Sequence, residues 1–242
     1  LIADFSPWFK NISCESGEGG DLLVNKVIEN SKQYLSNKGK LFFPVISLSD
    51  KDSIINHIYN KYNCDIQRSN IAVLPSNSII DFVIRCLVNP DENVLVPDPG
   101  FPTYTSVLSY LGIEGKNYVL NKDDSWSIDL GEIESLIDDK TKLIIINSPS
   151  NPTGSIIDKD KLDKIFQLSK DKDIYILSDE IYSNVVYEQE VFHSMLGSDE
   201  ELSRTIILEG FSKGFNMSGW RLGYVLGEPL LINYITLMFE SI

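Results

Sequence analysis

The chain has 242 residues, of which 43% are hydrophobic and 23% charged, so it can bury a substantial core. Its 35 acidic residues outnumber 21 basic ones and give a formal charge of −14, which argues against a nucleic-acid-binding protein, since such a protein needs a basic face for phosphates. Three dispersed cysteines, two histidines and the lack of a membrane-length apolar run predict a cytoplasmic protein without a metal site.

Two regions are predicted along the chain. Residues 1–45 should form an N-terminal arm and a first helix, because an irregular opening is followed by the helix-like "DLLVNKVIENSKQYLSNKG". Residues 46–242 should form one large domain. This domain opens with a helix over "SDKDSIINHIYNKYN", in which apolar residues recur close to one helical face.

From residue 71 onward, short runs rich in valine and isoleucine alternate with helical segments. Strands are predicted for "IAVL", "NVLVPD", "KNYVL", "KLIIIN", "DIYILSD", "TIILEG" and "LGYVLG", and helices for "SIIDFVIRCLVN", "PTYTSVLSYLG", "DLGEIESLIDD" and "DKDKLDKIFQLSKDK". This alternation is typical of an α/β fold with a mostly parallel central sheet. Because the strands are apolar at successive residues, helices are expected on both faces, which gives a three-layer αβα architecture.

Polar segments follow three consecutive predicted strands: "NSPSNPTG", "SDEIY" and "FSKG". Ligands of open α/β sheets bind outside the carboxyl ends of the strands, so the three segments predict one shared pocket. A dinucleotide-binding fold of the Rossmann type would need G-x-G-x-x-G after the first strand, and "VLPSNSII" does not provide it.

Lys213 stands in "GFSKGFNMSGWRLGY", between two apolar strands, where an ammonium group is costly to desolvate unless it is paired or chemically used. Such a lysine can act as an amine nucleophile that forms a Schiff base with a carbonyl, although a solvated loop lysine is far commoner. Ser212 offers a hydroxyl donor, and Arg221 offers a planar fork for phosphate or carboxylate, although it could also cap a helix or form an ion pair. Together the three side chains predict a site for a phosphorylated aldehyde, pyridoxal phosphate.

Other strand ends supply groups that suit this ligand. Asp179 can pair with a protonated pyridine nitrogen, or it can cap a helix. Tyr182, three residues later, is expected on the same face of a first helical turn, within reach of the ring oxygen, whereas Glu180 should point elsewhere. Asn151 projects an amide from a Pro-Gly turn, and Phe101 can lie against a pyridine ring, although turn and core roles explain these two residues as well.

Four motifs then identify a family. The segments "NVLVPDPGFPTY", "NSPSNPTG", "SDEIY" and "FSKGFNMSGWRLGY" occur in the order and with the spacing of the class I aminotransferases of the pyridoxal-phosphate fold type I group. The chain resembles this family from about residue 65 to 227, and within it is most similar to the tyrosine aminotransferases. The pattern "SKxxxxxGWRxG" is a highly specific part of the resemblance.

The resemblance implies a pyridoxal-phosphate-dependent transamination between an aromatic L-amino acid and a 2-oxo acid, in a homodimer. It implies that Lys213 carries the cofactor and moves the substrate proton, and that Lys213, Asp179 and Tyr182 are the catalytic residues. The other implied contacts are hydrogen bonds from Asn151 and Tyr182 to the ring oxygen, phosphate contacts from Ser212 and Arg221, and stacking by Phe101. Residues 46–242 would then be the cofactor-binding large domain.

Three departures from the family pattern are the reason for considering other functions. The usual "SGxxxA" phosphate turn reads "LPSNSI", in which proline removes a backbone donor, and Ser76 and Asn77 are left as the phosphate contacts at a helix start. The segment "FFPVIS" has phenylalanine at the position where relatives have a tyrosine whose hydroxyl binds the cofactor phosphate in the partner subunit. The C-terminal small domain, with its carboxylate-binding arginine, is expected to be absent. The alternatives are a C–S lyase, an alanine-type aminotransferase, or a catalytically impaired cofactor-binding homologue.

Overall fold

The computed structural model describes residue 61, residues 67–187 and residues 189–240. The chain divides into two units, Leu1–Asp65 and Ile66–Ile242, and the architecture below is that of the second unit. The predicted N-terminal arm and the "FFPVIS" segment lie outside the described residues, as does the helix predicted over residues 49–63, except for residue 61, which is helical.

The centre of the second unit is a seven-stranded sheet. Its strands are β1 (Ile71–Pro75), β2 (Asn93–Asp98), β3 (Glu114–Val119), β4 (Thr141–Asn147), β5 (Tyr175–Asp179), β6 (Thr205–Gly210) and β7 (Leu222–Leu226), in the order β1-β7-β6-β5-β4-β2-β3. Strand β7 is antiparallel to both of its neighbours, and the other pairs are parallel. The mostly parallel sheet expected from the alternating pattern is thus confirmed.

Six α-helices are assigned in the described part of the chain. They are α1 (Ser76–Leu87), α2 (Pro102–Leu111), α3 (Leu130–Leu136), α4 (Lys159–Lys172), α5 (Phe211–Gly214) and α6 (Pro229–Glu240), and 3₁₀ turns occur at Arg68–Asn70, Lys122–Asp124, Met195–Gly197 and Ser218–Trp220. None of the described helices combines the length and the apolar character needed to span a bilayer.

Helices cover both faces of the sheet, as successive apolar residues in the strands predict. Leu143 and Ile145 of β4 belong to the core shared with α1, α2 and α6. Ile144 and Ile146 of the same strand belong to the opposite core, which is shared with α3 and α4. Because side chains alternate between the two faces of a strand, a continuous apolar run is what a doubly covered sheet requires, and the three-layer αβα fold follows.

The strand directions bring distant parts of the chain to one edge of the sheet. Strands β4, β5 and β6 run parallel and all end at this edge. Strand β7 runs the other way, with Gly223 opposite Gly210, so it begins where β6 ends. Strand β1 is antiparallel to β7, with Pro75 opposite Leu222, so the start of α1 also lies at this edge.

The connection between β2 and α2 is fixed by local sterics. A Cβ atom on Gly100 would lie 2.3 Å from the carbonyl oxygen of Pro97, so only glycine fits this close turn. Phe101 then takes an extended conformation as the N-cap residue of α2, and Pro102 occupies the first turn, where its missing N–H costs no helical hydrogen bond. The turn therefore places Phe101 at the start of α2.

Candidate active site

A cavity of about 300 Å³ opens at the edge where β4, β5 and β6 end. Seven of the nine predicted site residues line it: Phe101, Asn151, Asp179, Tyr182, Ser212, Lys213 and Arg221. The other two, Ser76 and Asn77, begin α1 at the same edge, and their side chains are not among those described. The one shared pocket expected from the strand ends is therefore present in the fold.

Asp179 is the last residue of β5, and only 4% of it is exposed. The Tyr104 hydroxyl donates to Asp179 Oδ2 at 2.6 Å, and the backbone N–H of Ile181 donates to Oδ1 at 3.2 Å, so this carboxylate also caps the turn that follows it. Burial raises the pKa of the Asp179 carboxyl to about 6, and the two hydrogen bonds oppose that rise, while the nearby Glu209 adds to it.

Tyr104 was not among the residues predicted from the sequence. It lies on α2, one helical turn after Phe101, and its ring meets the Phe101 ring edge-on with centroids 5.7 Å apart. Its exposed fraction is 1%. Tyr104 and Asp179 are 75 residues apart in the sequence, so only the fold brings the two side chains together.

Asn147, the last residue of β4, also lines the cavity and was not singled out within "NSPSNPTG". Its side-chain amide donates to the carbonyl oxygen of Asp179 at 2.9 Å, and its Oδ1 accepts from the backbone N–H of Asn151 at 2.6 Å. Asn147 therefore links the end of β4 to the end of β5 and fixes the main chain that carries Asn151.

Lys213 lies in α5, a single helical turn, and its side chain is exposed. One expectation was wrong here: Lys213 is not desolvated between the strands, because it lies on the short helix α5 beyond the end of β6, where its side chain is exposed. Its Nζ lies 5.4 Å from the centroid of the Tyr182 ring. Its position at the cavity, rather than burial, makes it a candidate nucleophile.

Tyr182 reaches the cavity from a different local structure than expected. The segment after β5 is not a first helical turn but a pair of hydrogen-bonded turns, with Ser183 N–H donating to Glu180 O at 2.8 Å and Val185 N–H to Tyr182 O at 2.7 Å. The carboxylate of Asp179 holds the first of these turns by accepting from Ile181, and this interaction competes with helix formation.

Ser212 has a buried hydroxyl in the cavity wall, and 7% of the residue is exposed. Its Oγ makes no hydrogen bond to any of the described residues. Buried polar atoms are nearly always hydrogen-bonded, and an orphaned one costs about 1–3 kcal/mol. This hydroxyl is therefore available to a ligand.

Arg221 directly precedes β7, which starts at the site edge because β7 is antiparallel to β6. The residue has φ of 54°, in the left-handed region, and ends the 3₁₀ turn Ser218–Trp220. Its guanidinium donates to Ser218 O at 2.9 Å, so a capping role is present. The guanidinium is exposed at the cavity, and it retains further donors for an anion.

Glu180 points away from the cavity, as the sequence predicts. It is buried, and its Oε1 accepts from Ser178 Oγ, Ser194 Oγ and Met195 N–H at 2.9–3.1 Å. Burial raises the pKa of this carboxyl to about 7. Its hydrogen bonds join the end of β5 to the segment that begins the 3₁₀ turn Met195–Gly197.

Known proteins share this sequence and architecture. Residues 13–241 match the family described as aminotransferase class I and II. The chain is 40% identical over 182 residues to human tyrosine aminotransferase, covering 74% of this chain and 39% of that protein. It is 36% identical over 184 residues to an aspartate aminotransferase of Sulfolobus acidocaldarius, covering 74% and 45%.

A solved structure of an aspartate aminotransferase from Thermotoga maritima matches with a TM-score of 0.76 and 27% identity, covering 89% of this chain and 58% of that one. An aromatic aminotransferase from Pyrococcus horikoshii matches with a TM-score of 0.74 and 28% identity, covering 78% and 50%. The chain spans about half the length of the curated relatives it matches. By its sequence match and its fold, the chain belongs to the class I and II aminotransferase family.

Proposed function

We propose that this chain takes part in pyridoxal-phosphate-dependent transamination between an aromatic L-amino acid and a 2-oxo acid. The family depends on pyridoxal phosphate, which is therefore the expected cofactor. The observation that carries the proposal is the convergence of an amine, a buried carboxylate, a hydroxyl and a guanidinium on one cavity at the sheet edge. These are the groups that a phosphorylated pyridine aldehyde needs.

The residues present fit this cofactor. The buried Ser212 Oγ has no partner among the described residues, and a phosphate oxygen would satisfy it. The exposed Arg221 guanidinium lines the same cavity and suits a phosphate dianion. The negative charge of Asp179, buried at the end of β5, suits a protonated ring nitrogen.

Each side chain then has a proposed task. Ser212 and Arg221 hold the phosphate, Asp179 keeps the ring nitrogen protonated, Asn151 and Tyr182 bind the ring oxygen, and Phe101 lies against the ring. The Lys213 amine would hold the cofactor, and its Nζ, set free when the substrate amine takes its place, would move the substrate α-proton. When bound, pyridoxal phosphate supplies the electron sink for the carbanion that loss of this proton leaves. Ser76 and Asn77 contribute phosphate donors from the start of α1.

The aromatic substrate class has separate support. Identity to the mammalian tyrosine aminotransferases is 37–40%. A second cavity of about 540 Å³ shares Asn151 and Tyr182 with the first. Its described lining includes Val185, Val186 and Tyr187, and its single charged group is Glu190. A carboxylate in the substrate side chain, as in aspartate, would be repelled by Glu190, whereas an aromatic side chain can pack on the apolar groups.

We also propose that residues 46–242 act as the cofactor-binding domain and that the protein is a homodimer. Active sites of this fold group lie at a homodimer interface, so dimerisation would complete the site. Light scattering of the purified protein tests the dimer directly. A mass corresponding to a monomer at micromolar concentration would contradict this part of the proposal.

The experiment for the function is spectroscopic. Purified protein is incubated with pyridoxal phosphate, its visible absorbance is recorded, and tyrosine or aspartate is then added, followed by 2-oxoglutarate. We expect a yellow colour that is absent in Lys213→Ala, is bleached by tyrosine faster than by aspartate, and returns with the 2-oxo acid. Lys170→Ala is the matched control. Lys170 is also exposed, but it lies on α4, whose buried residues belong to the core on the opposite face of the sheet.

The outcomes separate the alternatives. A lysine-dependent colour that no amino donor changes would indicate a cofactor-binding homologue without turnover. Faster bleaching by aspartate would overturn the aromatic specificity and leave transamination in place. No colour at any cofactor concentration would overturn the proposal as a whole.

A further inference from the structure

The hydrogen bond between Tyr104 and Asp179 lies beside the cavity and has no task in the function proposed above. Both residues are almost fully buried, with exposed fractions of 1% and 4%, and the hydroxyl lies 2.6 Å from Oδ2. Hydrogen bonds to ionised acceptors are shorter than neutral ones, and this length is typical of an O–H donor on a carboxylate. The contact joins α2, on one face of the sheet, to the end of β5.

The hydrogen bonds of Asp179 leave room for one more partner. Oδ2 accepts from Tyr104, and Oδ1 accepts from the backbone N–H of Ile181. Each carboxylate oxygen can accept two hydrogen bonds, so the carboxylate keeps acceptor capacity on the side of the cavity that it lines. With both oxygens tethered, the plane of the carboxylate is fixed before any ligand arrives.

We propose that Tyr104 is a positioning residue that orients the Asp179 carboxylate toward the cavity and keeps it ionised, so that it can hold the ring nitrogen of pyridoxal phosphate. This inference rests on the proposed function, because it assigns the ring nitrogen to Asp179. Tyr104 itself is absent from the cavity lining and acts through Asp179.

Several charged and titratable groups surround Asp179, and the Tyr104 hydroxyl must offset those that raise the pKa of its carboxyl. Glu209 of β6 raises the pKa of the Asp179 carboxyl, as burial does, whereas the Tyr104 hydroxyl lowers it. Tyr182, which follows the same strand as Asp179, lines the cavity together with Lys213 after β6 and Arg221 before β7. Removing the Tyr104 hydroxyl should therefore raise the pKa of Asp179 from about 6 toward neutrality.

Tyr118 provides a matched control. It too is 1% exposed, and its hydroxyl donates to a backbone carbonyl, Ile145 O, at 2.8 Å. It packs in the opposite core and does not line the cavity. Tyr118→Phe removes one buried phenol hydrogen bond, as Tyr104→Phe does, without touching Asp179. A purely structural role for Tyr104 would make the two variants behave alike.

The experiment compares wild type, Tyr104→Phe and Tyr118→Phe. In the cofactor-free proteins, the Asp179 carboxyl is titrated by carbon-13 NMR, with its signal assigned from Asp179→Asn. We expect Tyr104→Phe to raise its midpoint by about one pH unit, equivalent to one charge-assisted hydrogen bond, and Tyr118→Phe to leave it unchanged. The dissociation constant of pyridoxal phosphate is then measured from pH 5.5 to 8.5.

Binding should weaken about fivefold in Tyr104→Phe near pH 6 and recover as the pH rises, because the variant then regains its carboxylate. An Asp179 midpoint that stays at the wild-type value in Tyr104→Phe would overturn the inference, and so would equal weakening of binding at every pH or in both variants. If wild type itself binds no pyridoxal phosphate, the proposed function fails, and with it the cofactor-directed role of the pair. In that case the NMR titration would still show whether the Tyr104 hydroxyl lowers the pKa of Asp179.

Discussion

Ser212→Ala should have opposite effects on the free protein and on its cofactor complex. The Ser212 Oγ is buried and has no hydrogen-bond partner among the described residues. Its desolvation is therefore uncompensated, at a cost of about 1–3 kcal/mol. Alanine removes the oxygen and leaves only a small gap, so the free energy of unfolding without cofactor should stay unchanged or rise by up to about 1 kcal/mol.

The same substitution should weaken binding of pyridoxal phosphate. A hydrogen bond from Ser212 to a charged phosphate is worth about 1.5–3 kcal/mol. At about 1.4 kcal/mol per factor of ten, the dissociation constant should increase by about tenfold to a hundredfold. A variant that is more stable alone and binds its ligand less well is the pattern expected where a fold leaves a polar group unpaired for function.

The assays are urea unfolding without cofactor and absorbance titration with pyridoxal phosphate. Ser169→Ala is the matched control, because Ser169 is fully buried in α4 and its hydroxyl already donates to Phe166 O at 2.7 Å. That control should lose about 0.5–1.5 kcal/mol of stability and keep its cofactor affinity. A free Ser212→Ala protein that is destabilised as much as the control, or one whose affinity for pyridoxal phosphate is unchanged, would show that the Ser212 hydroxyl is not an unpaired group reserved for the ligand.

Two further predictions concern the polar framework behind the site. Asn147→Ala removes both hydrogen bonds that link β4 to Asp179 and Asn151, so urea unfolding should show a loss of about 1–3 kcal/mol, and a loss below about 0.5 kcal/mol would contradict the bridging role. Burial raises the pKa of Glu180 from 4.5 to about 7, so the folded state binds its proton more tightly and the free energy of unfolding should fall as pH rises through that window. Glu180→Gln should make this slope shallower in urea titrations at several pH values, and an unchanged slope would rule out Glu180 as its source.

Local sequence patterns were sufficient to place most of the secondary structure. The predicted strand "NVLVPD" coincides with β2, Asn93–Asp98, and "TIILEG" coincides with β6, Thr205–Gly210. Both segments are apolar at successive residues and end in Pro-Asp or Gly, so propensity and burial favour the same structure. Two local expectations failed at the site itself. Lys213 is exposed rather than desolvated, and the chain after Asp179 forms hydrogen-bonded turns rather than a first helical turn.

The amino-acid sequence by itself determined the α/β class, the family and the strand ends at which polar residues gather, because these depend on neighbours along the chain. Only the tertiary structure decided that β7 runs antiparallel and brings Arg221 to the cavity, that Lys213 is exposed, and that Tyr104 meets Asp179 across 75 residues. The physical reason is that strand pairing and burial are set by contacts between distant segments, and periodicity within one segment carries no information about its partner.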